Sequence, residues 1–291
     1  MIKKLKHREI DFTKYNKCLA QSLQQNLYAQ KENLDFLCDE WELLVSGDYD
    51  FIMPIPIKKK LGLKIVAMPL FCQQLGVFSK EIDEDKELQF LDYFTKNYKI
   101  LSYSFNHFNL KKSDLHRKKN YSIERTEYSA LRKNYFKGRK STVKTAQYLS
   151  FAEIKLDSVL VFIRNNFKGL DKKQDSDKFF SYLKFLEARN ELKLFGSFKD
   201  TNLTNVAILV DSGDKFSLLG LINNDEFKAD NGASFLVDKI LQDYISHKAF
   251  DFMGGSIRGI EVFFKSFGST CEEYPIITHS KKDLIKNIFK K

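Results

Sequence analysis

The residues best suited to chemistry in this sequence surround Asp251, which ends a predicted buried strand. Phe250 and Phe252 flank this carboxylate, and Gly254 and Gly255 follow, where the backbone is expected to turn sharply. Aromatic surroundings can raise the pKa of a carboxyl group, so Asp251 is a plausible place for chemistry. The same pattern is also typical of a strand-to-helix corner in which an aspartate caps the turn.

A helix and a further strand are predicted directly after this turn. Apolar residues recur there with the i, i+3, i+4, i+7 spacing of one helical face, namely Ile260, Phe263, Phe264 and Phe267. Gly268 stands where a left-handed residue commonly ends a helix, and residues 274–278 form the next predicted strand. Asp251 is therefore expected at a strand end, beside a glycine turn and a helix.

Positive charge is concentrated between Lys111 and Lys144, a segment called the basic stretch below. Its twelve Lys or Arg residues and three acidic residues account for nine of the ten net positive charges of the protein. Such a stretch favours an anionic partner (nucleic acid, a phosphorylated substrate or a membrane surface), although a solvated protein face has the same composition. Residues 281–291 add five more lysines and one aspartate.

The composition predicts a folded protein with reduced thiols and a cytoplasmic location. The 291 residues can bury one large core or two ordinary ones, and the 43% hydrophobic content argues against long disordered segments. Neither a transmembrane segment nor a signal peptide is predicted, because no apolar run is long enough. The four cysteines and five histidines are scattered, so neither a disulfide framework nor a metal site is expected.

The first half of the chain is predicted to contain a helix, three strands, a polar loop, a helix and a strand. The helical patterns cover residues 12–38 and 83–98, and the strand patterns cover residues 41–46, 49–57, 63–71 and 99–108. Pro54 and Pro56 remove two ladder donors from one side, which predicts an edge strand or a bend.

The second half repeats this order after a basic joint at about residues 111–146. Partly helical residues 128–148 come first, interrupted at Gly138. Helical patterns at residues 156–167 and 177–190 then precede strands at 192–198, 206–210 and 216–222, a polar loop at 223–231 and a helix at 233–247. The repeat is one of element order, without clear similarity of residues.

This order resembles the GNAT-type N-acyltransferase fold, and two copies resemble the Fem-type aminoacyltransferases and the related FemAB-like acetyltransferase group. Residues 250–255 with 264–268 are similar to the family's fDF-G…F-k-FG ending, residues 139–146 to its basic R-x-I-x-K-A helix, and residues 69–78 to a motif of FemAB-like bacterial relatives. The resemblance covers most of the chain and implies an α+β fold of two GNAT-like subdomains, residues 1–127 and 128–291. Each would be a mixed, largely antiparallel sheet flanked by helices.

The resemblance also implies transfer of an acyl or aminoacyl group from an activated carrier to an amine acceptor. The donor would be acyl-CoA or aminoacyl-tRNA, with no permanently bound cofactor. Direct transfer needs a deprotonated amine and an aligned donor but no covalent nucleophile. Asp251 would orient or deprotonate the amine, and Tyr274 would be the general acid to the leaving group. Cys271 is a weaker candidate, because no histidine lies near it in sequence to lower its pKa.

In GNAT enzymes the carrier's pyrophosphate binds backbone N–H groups at a helix N-terminus. The corresponding positions here are Lys228, Asn231, Gly232, Ala233 and Ser234, similar to the pattern Arg/Gln-x-x-Gly-x-Gly/Ala. Lys228 replaces Arg or Gln, and Asn231 replaces the first glycine, where asparagine tolerates a left-handed backbone. Asp230 is expected to repel phosphate, whereas the aminoacyl-tRNA of Fem-type relatives would give the basic stretch a ligand. An ordinary helix N-cap is the alternative.

Two further pairs are candidates for acceptor or anion binding. Residues 228–234 are called the carrier loop below. Gln73 and Gln74 lie in the corresponding loop of the first half, and they either help to bind the acceptor or form a hydrogen-bonded loop pair. Lys140 and Lys144 lie one helical turn apart and either hold a phosphate or occupy a solvated helix face. A non-catalytic protein that recognises tRNA or another anionic partner on a degenerate GNAT fold remains the alternative to an acyltransferase.

Overall fold

The computed structural model describes residues 1–24, 26–60 and 62–280, and these form two compact units. The first unit contains Met1–Lys118 and the segment that begins at Glu273, and the second is Lys119–Glu272. The chain passes between the units within two strands, β7 (His116–Ile123) and β13 (Thr270–Thr278). The lysine-rich segment 281–291 lies outside the described residues. None of the helices in the described ranges is both long enough and apolar enough to span a bilayer.

The first unit is built on an antiparallel sheet. The strands of this sheet are β1 (Ile2–Lys6), β2 (Glu40–Ser46), β3 (Phe51–Lys60), β4 (Leu63–Val66) and β5 (Phe78–Ser79). The unit also contains strand β6 (Ser102–Ser104), which lies outside this sheet, and the helices α1 (Phe12–Gln21), α2 (Lys31–Leu37) and α3 (Glu84–Asn97). Strands β1 to β4 lie in that order, β5 pairs with the start of β3, and β6 pairs with the end of β13. Tyr15, Trp41, Phe94 and Tyr103 are buried in this unit.

The helical pattern of residues 12–38 forms two helices rather than one. Asp11 caps α1, because its carboxylate accepts hydrogen bonds from the backbone N–H groups of Thr13 and Lys14. The side chain of Asn26 accepts from the N–H of Ala29 in an intervening 3₁₀ turn, Leu27–Ala29. This local bond competes with a continuous helix, so α2 begins afresh at Lys31.

The prolines of β3 were expected to mark an edge strand or a bend; β3 is interior in the sheet, and its two prolines coincide with a gap in the pairing on one side. On one side β2 pairs with all of residues 51–57. On the other side β5 covers residues 51–52 and β4 covers residues 57–60, so residues 53–56 face no described strand there. The carbonyl of Pro54 accepts instead from the Tyr103 hydroxyl at 2.9 Å. The N–H groups that Pro54 and Pro56 lack would face this gap, so their absence removes no hydrogen bond between strands.

The second unit contains a larger, mixed sheet flanked by six helices in the described chain. The helices are α4 (Tyr128–Lys133), α5 (Lys137–Thr145), α6 (Leu156–Asn166), α7 (Lys173–Ala188), α8 (Gly232–Tyr244) and α9 (Arg258–Lys265), and the strands are β8 (Ser150–Glu153), β9 (Leu192–Lys199), β10 (Asn202–Asp211), β11 (Lys215–Asn223) and β12 (Ala249–Asp251). The strand order is β13, β7, β12, β11, β10, β9, β8. The β8–β9, β9–β10, β10–β11 and β7–β12 pairs are antiparallel, and β11–β12 is parallel.

The parallel pair is short, which leaves part of β11 without a strand partner. Only Lys215–Ser217 of β11 pair with Ala249–Asp251 of β12. The register between β10 and β11 also shifts at Ile208/Leu209, and Leu219 is the extra residue of the resulting bulge. From Leu219 to Asn223, β11 has no described strand on its β12 side. The chain then leads into α8 at one end of this opening, and β12 stops at Asp251.

Strand β7 was not predicted from the sequence, because it lies inside the basic stretch. Its first half is largely exposed, whereas the four residues Asn120, Tyr121, Ser122 and Ile123 are all buried. Tyr121 belongs to the core of the unit with Phe252, Phe264 and Phe267. The predicted apolar face of α9 is only partly buried, because Ile260 remains 42% exposed.

Candidate active site

Asp251 lies at the C-terminal end of β12, where its carboxylate is held by two donors. Oδ1 accepts hydrogen bonds from the backbone N–H of Met253 at 2.7 Å and from Nδ2 of Asn120 at 3.0 Å. Within the described ranges no donor contacts Oδ2. Burial raises the pKa of Asp251, while the nearby Lys215 ammonium lowers it. One oxygen is therefore fixed and the other is available to take up a proton.

The turn after Asp251 has an unusual backbone that Asn120 fixes. Met253, Gly254 and Gly255 have φ angles of +53°, +150° and +137°. The Asn120 side chain bridges this turn to the carboxylate, because its Oδ1 accepts from the N–H of Gly254 at 2.8 Å while its Nδ2 donates to Asp251. A Cβ on Gly255 would lie 2.3 Å from the Tyr121 ring, so only glycine allows this approach.

A charged network borders the same turn. Glu261 on α9 accepts from Nζ of Lys119 and from the hydroxyl of Tyr121, both at 2.8 Å, and pairs with Lys265 at 3.0 Å. These three donors lower the pKa of Glu261 to about 2, with Lys119 the largest contributor. Cys271 is exposed and its thiol lies beside the Tyr121 hydroxyl.

A second carboxylate lies near Asp251 across the neighbouring strand. Ser122 is the register partner of Asp251 on β7, and its hydroxyl donates to Glu272 at 2.9 Å. The charge of Glu272 contributes to the raised pKa of Asp251. The polar residues of β7 are therefore buried because they bind the groups around Asp251.

The predicted carrier loop opens α8 as expected from its sequence. Asn231 adopts the left-handed conformation at the N-cap, with φ +57° and ψ 26°, and its side chain makes no capping bond to the helix. Ser234 and Phe235 donate their N–H groups to the Asn231 carbonyl. In the described chain the N–H groups of Gly232 and Ala233 have no acceptor, so they are free donors at the N-terminus of α8.

Gly232 lets this helix start lie directly against β10. A Cβ at this position would stand 1.8 Å from Oδ1 of Asn205 and 3.0 Å from Oγ1 of Thr204. Asp230 accepts from Nζ of Lys199 at 3.1 Å and from the Tyr148 hydroxyl, and these bonds lower its pKa, with Tyr148 the larger contributor. The negative charge that was expected to repel a phosphate is thus balanced by Lys199.

Arg139 is a residue of this site whose role the sequence did not reveal. Its guanidinium donates to the hydroxyls of Ser234 on α8 and Ser266 after α9, and it lies 4.3 Å and 4.5 Å from the ring centroids of Phe263 and Phe267. No carboxylate pairs with it among the described residues, and burial lowers its pKa to about 10. Arg139 therefore adds positive charge beside the first turn of α8.

The remaining predicted residues lie on other elements of the structure. Lys228 is exposed in the 3₁₀ turn before α8. In the first unit, Gln74 is buried and donates to the side chain of Gln73, while its own oxygen accepts from the N–H of His107. Tyr274 is 5% exposed on the part of β13 that belongs to the first unit.

The basic stretch does not form one uniform surface. Lys112, Lys119 and Arg132 pair with carboxylates, and Arg117 donates to backbone carbonyls. Lys140 donates to the carbonyl of Lys133 at 2.8 Å. Lys144 is exposed and lines a small cavity with Arg132 and Asp238.

Comparisons with known proteins agree on the fold. A scan against protein-family models gives no match, and neither does a search of curated proteins. Among solved structures, FemX matches with a TM-score of 0.65 at 10% identity over 98% of this chain and 99% of FemX. A conserved protein of unknown function from Bacteroides thetaiotaomicron VPI-5482 matches with a TM-score of 0.59 at 11% identity over 96% and 100% of the two chains. A tandem GNAT protein from the clavulanic acid biosynthesis pathway matches with a TM-score of 0.53 at 9% identity over 95% and 97%. The predicted fold of two GNAT-like subdomains, and its resemblance to Fem-type proteins, are confirmed.

Proposed function

We propose that this protein transfers an acyl or aminoacyl group from an activated carrier to an amine. The observation that carries the proposal is the opening between β11 and β12 in the second unit. The α8 N-terminus with two free N–H groups follows one strand of this opening, and Asp251 ends the other. An acyl carrier needs an anion site and acyl transfer needs a base; the N-terminus of α8 would supply the first and Asp251 the second.

The carrier would bind at the start of α8. The N–H groups of Gly232 and Ala233, the helix dipole and the Arg139 guanidinium together favour a phosphate. Because Lys199 balances the charge of Asp230, this carboxylate would not exclude the phosphates of either proposed donor, acyl-CoA or aminoacyl-tRNA. Lys228 would add a flexible cation to this site.

The chemical step requires no covalent enzyme intermediate. The amine nitrogen attacks the carbonyl carbon, the carrier's sulfur or oxygen leaves, and Oδ2 of Asp251 accepts a proton from the amine. The raised pKa of Asp251 suits this role, because a stronger base takes the proton more readily near neutral pH. The part of Tyr274 as proton donor to the leaving group stays a prediction from the sequence, as does acceptor binding by Gln73 and Gln74.

Ligand-induced thermal stabilisation tests the donor site. At a concentration 100 times its Kd, a carrier that binds only the folded protein stabilises it by about 2.7 kcal/mol. We expect saturable stabilisation by acetyl-CoA or by an aminoacyl-tRNA, reduced by Lys228→Ala and retained in Lys172→Ala, an exposed lysine before α7 in the same unit.

A tRNA titration over a salt series separates the two functions left open by the sequence. Phosphate-driven binding gives a logarithmic slope of about −0.7 to −0.9 per neutralised phosphate. Binding of uncharged tRNA without any transfer from aminoacyl-tRNA or acyl-CoA to a panel of amines would favour the non-catalytic binding protein. Transfer that depends on Asp251 would support the acyltransferase.

A further inference from the structure

A second polar site in the Lys119–Glu272 unit lies away from the carrier loop residues, at a cavity lined by α4, α5 and α8. Its volume is about 300 Å³. The side chains that matter are Arg132 from α4, Lys144 from α5, and Asp238 and Lys239 from α8. Neither the carrier loop nor Asp251 contributes to it, so the proposed acyl transfer leaves it without a function.

Arg132 is held in place by groups on both sides. Its Nη1 donates to the Tyr128 hydroxyl at 2.8 Å and to Oδ1 of Asp238 at 3.3 Å. Its guanidinium also lies 6.0 Å from the ring centroids of Tyr128 and Tyr135. In the described ranges Nη2 and Nε have no acceptor. Nη2 and Nε of Arg132 are therefore free to donate, and the contacts of the guanidinium orient them before any ligand binds.

The cavity carries an excess of positive charge. Asp238 is almost fully buried and bound by Tyr128 and Arg132, so it serves the arginine rather than the cavity. Lys239 donates to the side chain of Gln242 at 3.1 Å. Lys144 has no hydrogen-bond acceptor or carboxylate partner in the part of the chain that the structure describes. Three cations and one carboxylate leave a net charge of two.

We propose that this cavity binds a phosphate dianion, either inorganic phosphate or the terminal phosphate of a small metabolite. Two positive charges in excess match the two negative charges of a phosphate monoester. An arginine fork with a lysine beside it suits phosphate oxygens, which accept several charge-assisted hydrogen bonds. The small volume fits a phosphate with a few attached atoms and excludes a nucleotide coenzyme. This site stands independently of the proposed acyl transfer.

Calorimetric titration of the full chain with inorganic phosphate tests the proposal at constant ionic strength, with chloride as the reference anion. The variant is Lys144→Gln, and the matched control is Lys137→Gln, an exposed lysine on the same helix. We expect one saturable site that Lys144→Gln weakens about tenfold through the loss of one charged hydrogen bond, and that Lys137→Gln leaves within twofold. Equal losses in both variants, no loss in Lys144→Gln, or no saturable binding would overturn the proposal.

A second titration identifies the source of the phosphate. Glycerol phosphate that binds more tightly than inorganic phosphate at the Lys144-dependent site supports a metabolite, and the reverse order supports the free ion. An oligoribonucleotide without terminal phosphates is added as a competitor. If it displaces inorganic phosphate from the site, the cavity reads phosphodiesters and the assignment to a dianion is wrong. Lys239→Gln provides an independent variant, and it should weaken phosphate binding in the same direction.

Discussion

Replacing Asn120 should destabilise the second unit more than any other single polar substitution near the candidate active site. Asn120→Ala removes a hydrogen bond to the Asp251 carboxylate and one from the N–H of Gly254, both largely shielded from water. A neutral hydrogen bond contributes about 1 kcal/mol and one to a charged group about 2 kcal/mol, so the expected loss is about 3 kcal/mol in the free energy of unfolding. Asn202→Ala, at an exposed position in the same unit, should change it by less than about 0.5 kcal/mol.

The readout should be urea unfolding followed by far-UV circular dichroism, because the single tryptophan, Trp41, belongs to the first unit. Asn120→Asp adds a pH test, since it places a second carboxyl group against Asp251. Two adjacent carboxylates cannot both ionise easily, so the folded-state pKa of the pair rises above the unfolded value. The stabilisation that depends on the protonated pair is then fully present at low pH and lost as pH rises, so the free energy of unfolding of Asn120→Asp should be lower at pH 8 than at pH 5. An Asn120→Ala protein as stable as the wild type, or no pH dependence in Asn120→Asp, would refute the role assigned to this side chain.

Three other substitutions have defined outcomes. Gly232→Ala should cost about 1 to 3 kcal/mol because its Cβ meets Asn205, whereas Gly259→Ala, where space is open, should cost little, as thermal unfolding of both variants would show. Asp251→Asn should keep or raise the melting temperature at pH 8, because it removes a buried charge, while acyl transfer falls about 100-fold in a single-turnover assay. The pKa of Glu261 is about 2 in the folded protein, below its unfolded-state value. Glu261 therefore stabilises the fold fully above the unfolded-state pKa, and this stabilisation is lost as pH falls toward the folded-state pKa. The stability difference between the wild type and Glu261→Gln should therefore shrink from pH 4.5 to pH 2 in acid titrations.

The element order was predictable wherever local spacing and packing agree. Ile260, Phe263 and Phe264 of the predicted helical face lie in α9, which ends two residues before Phe267, and Gly268 has the expected left-handed φ of +76°. Asn231 was expected to tolerate a left-handed backbone, and it does so at φ +57°. These features depend on residues close together in sequence, so the sequence contains the necessary information.

The residues missed by the sequence act through long-range contacts. Asn120 and Ser122 lie in a segment rich in lysine, and only the partners Asp251 and Glu272, more than 100 residues away, explain why they are buried. Arg139 similarly looks like one more cation of the basic stretch until Phe263 and its neighbours are placed around it. In this charged segment the polar residues Asn120 and Ser122 alternate with Tyr121 and Ile123, and this period of two was the one signal of a strand.

Amide chemical shifts report directly whether the start of α8 binds an acyl carrier. The full-length, ¹⁵N-labelled protein is titrated with acetyl-CoA and, separately, with an aminoacyl-tRNA, and the backbone resonances of Gly232 and Ala233 are followed. We expect saturable shifts of these two amides with at least one carrier, and none at Gly259 on α9. If the protein remains folded and neither carrier shifts Gly232 or Ala233 at saturating concentration, the proposed carrier site is contradicted.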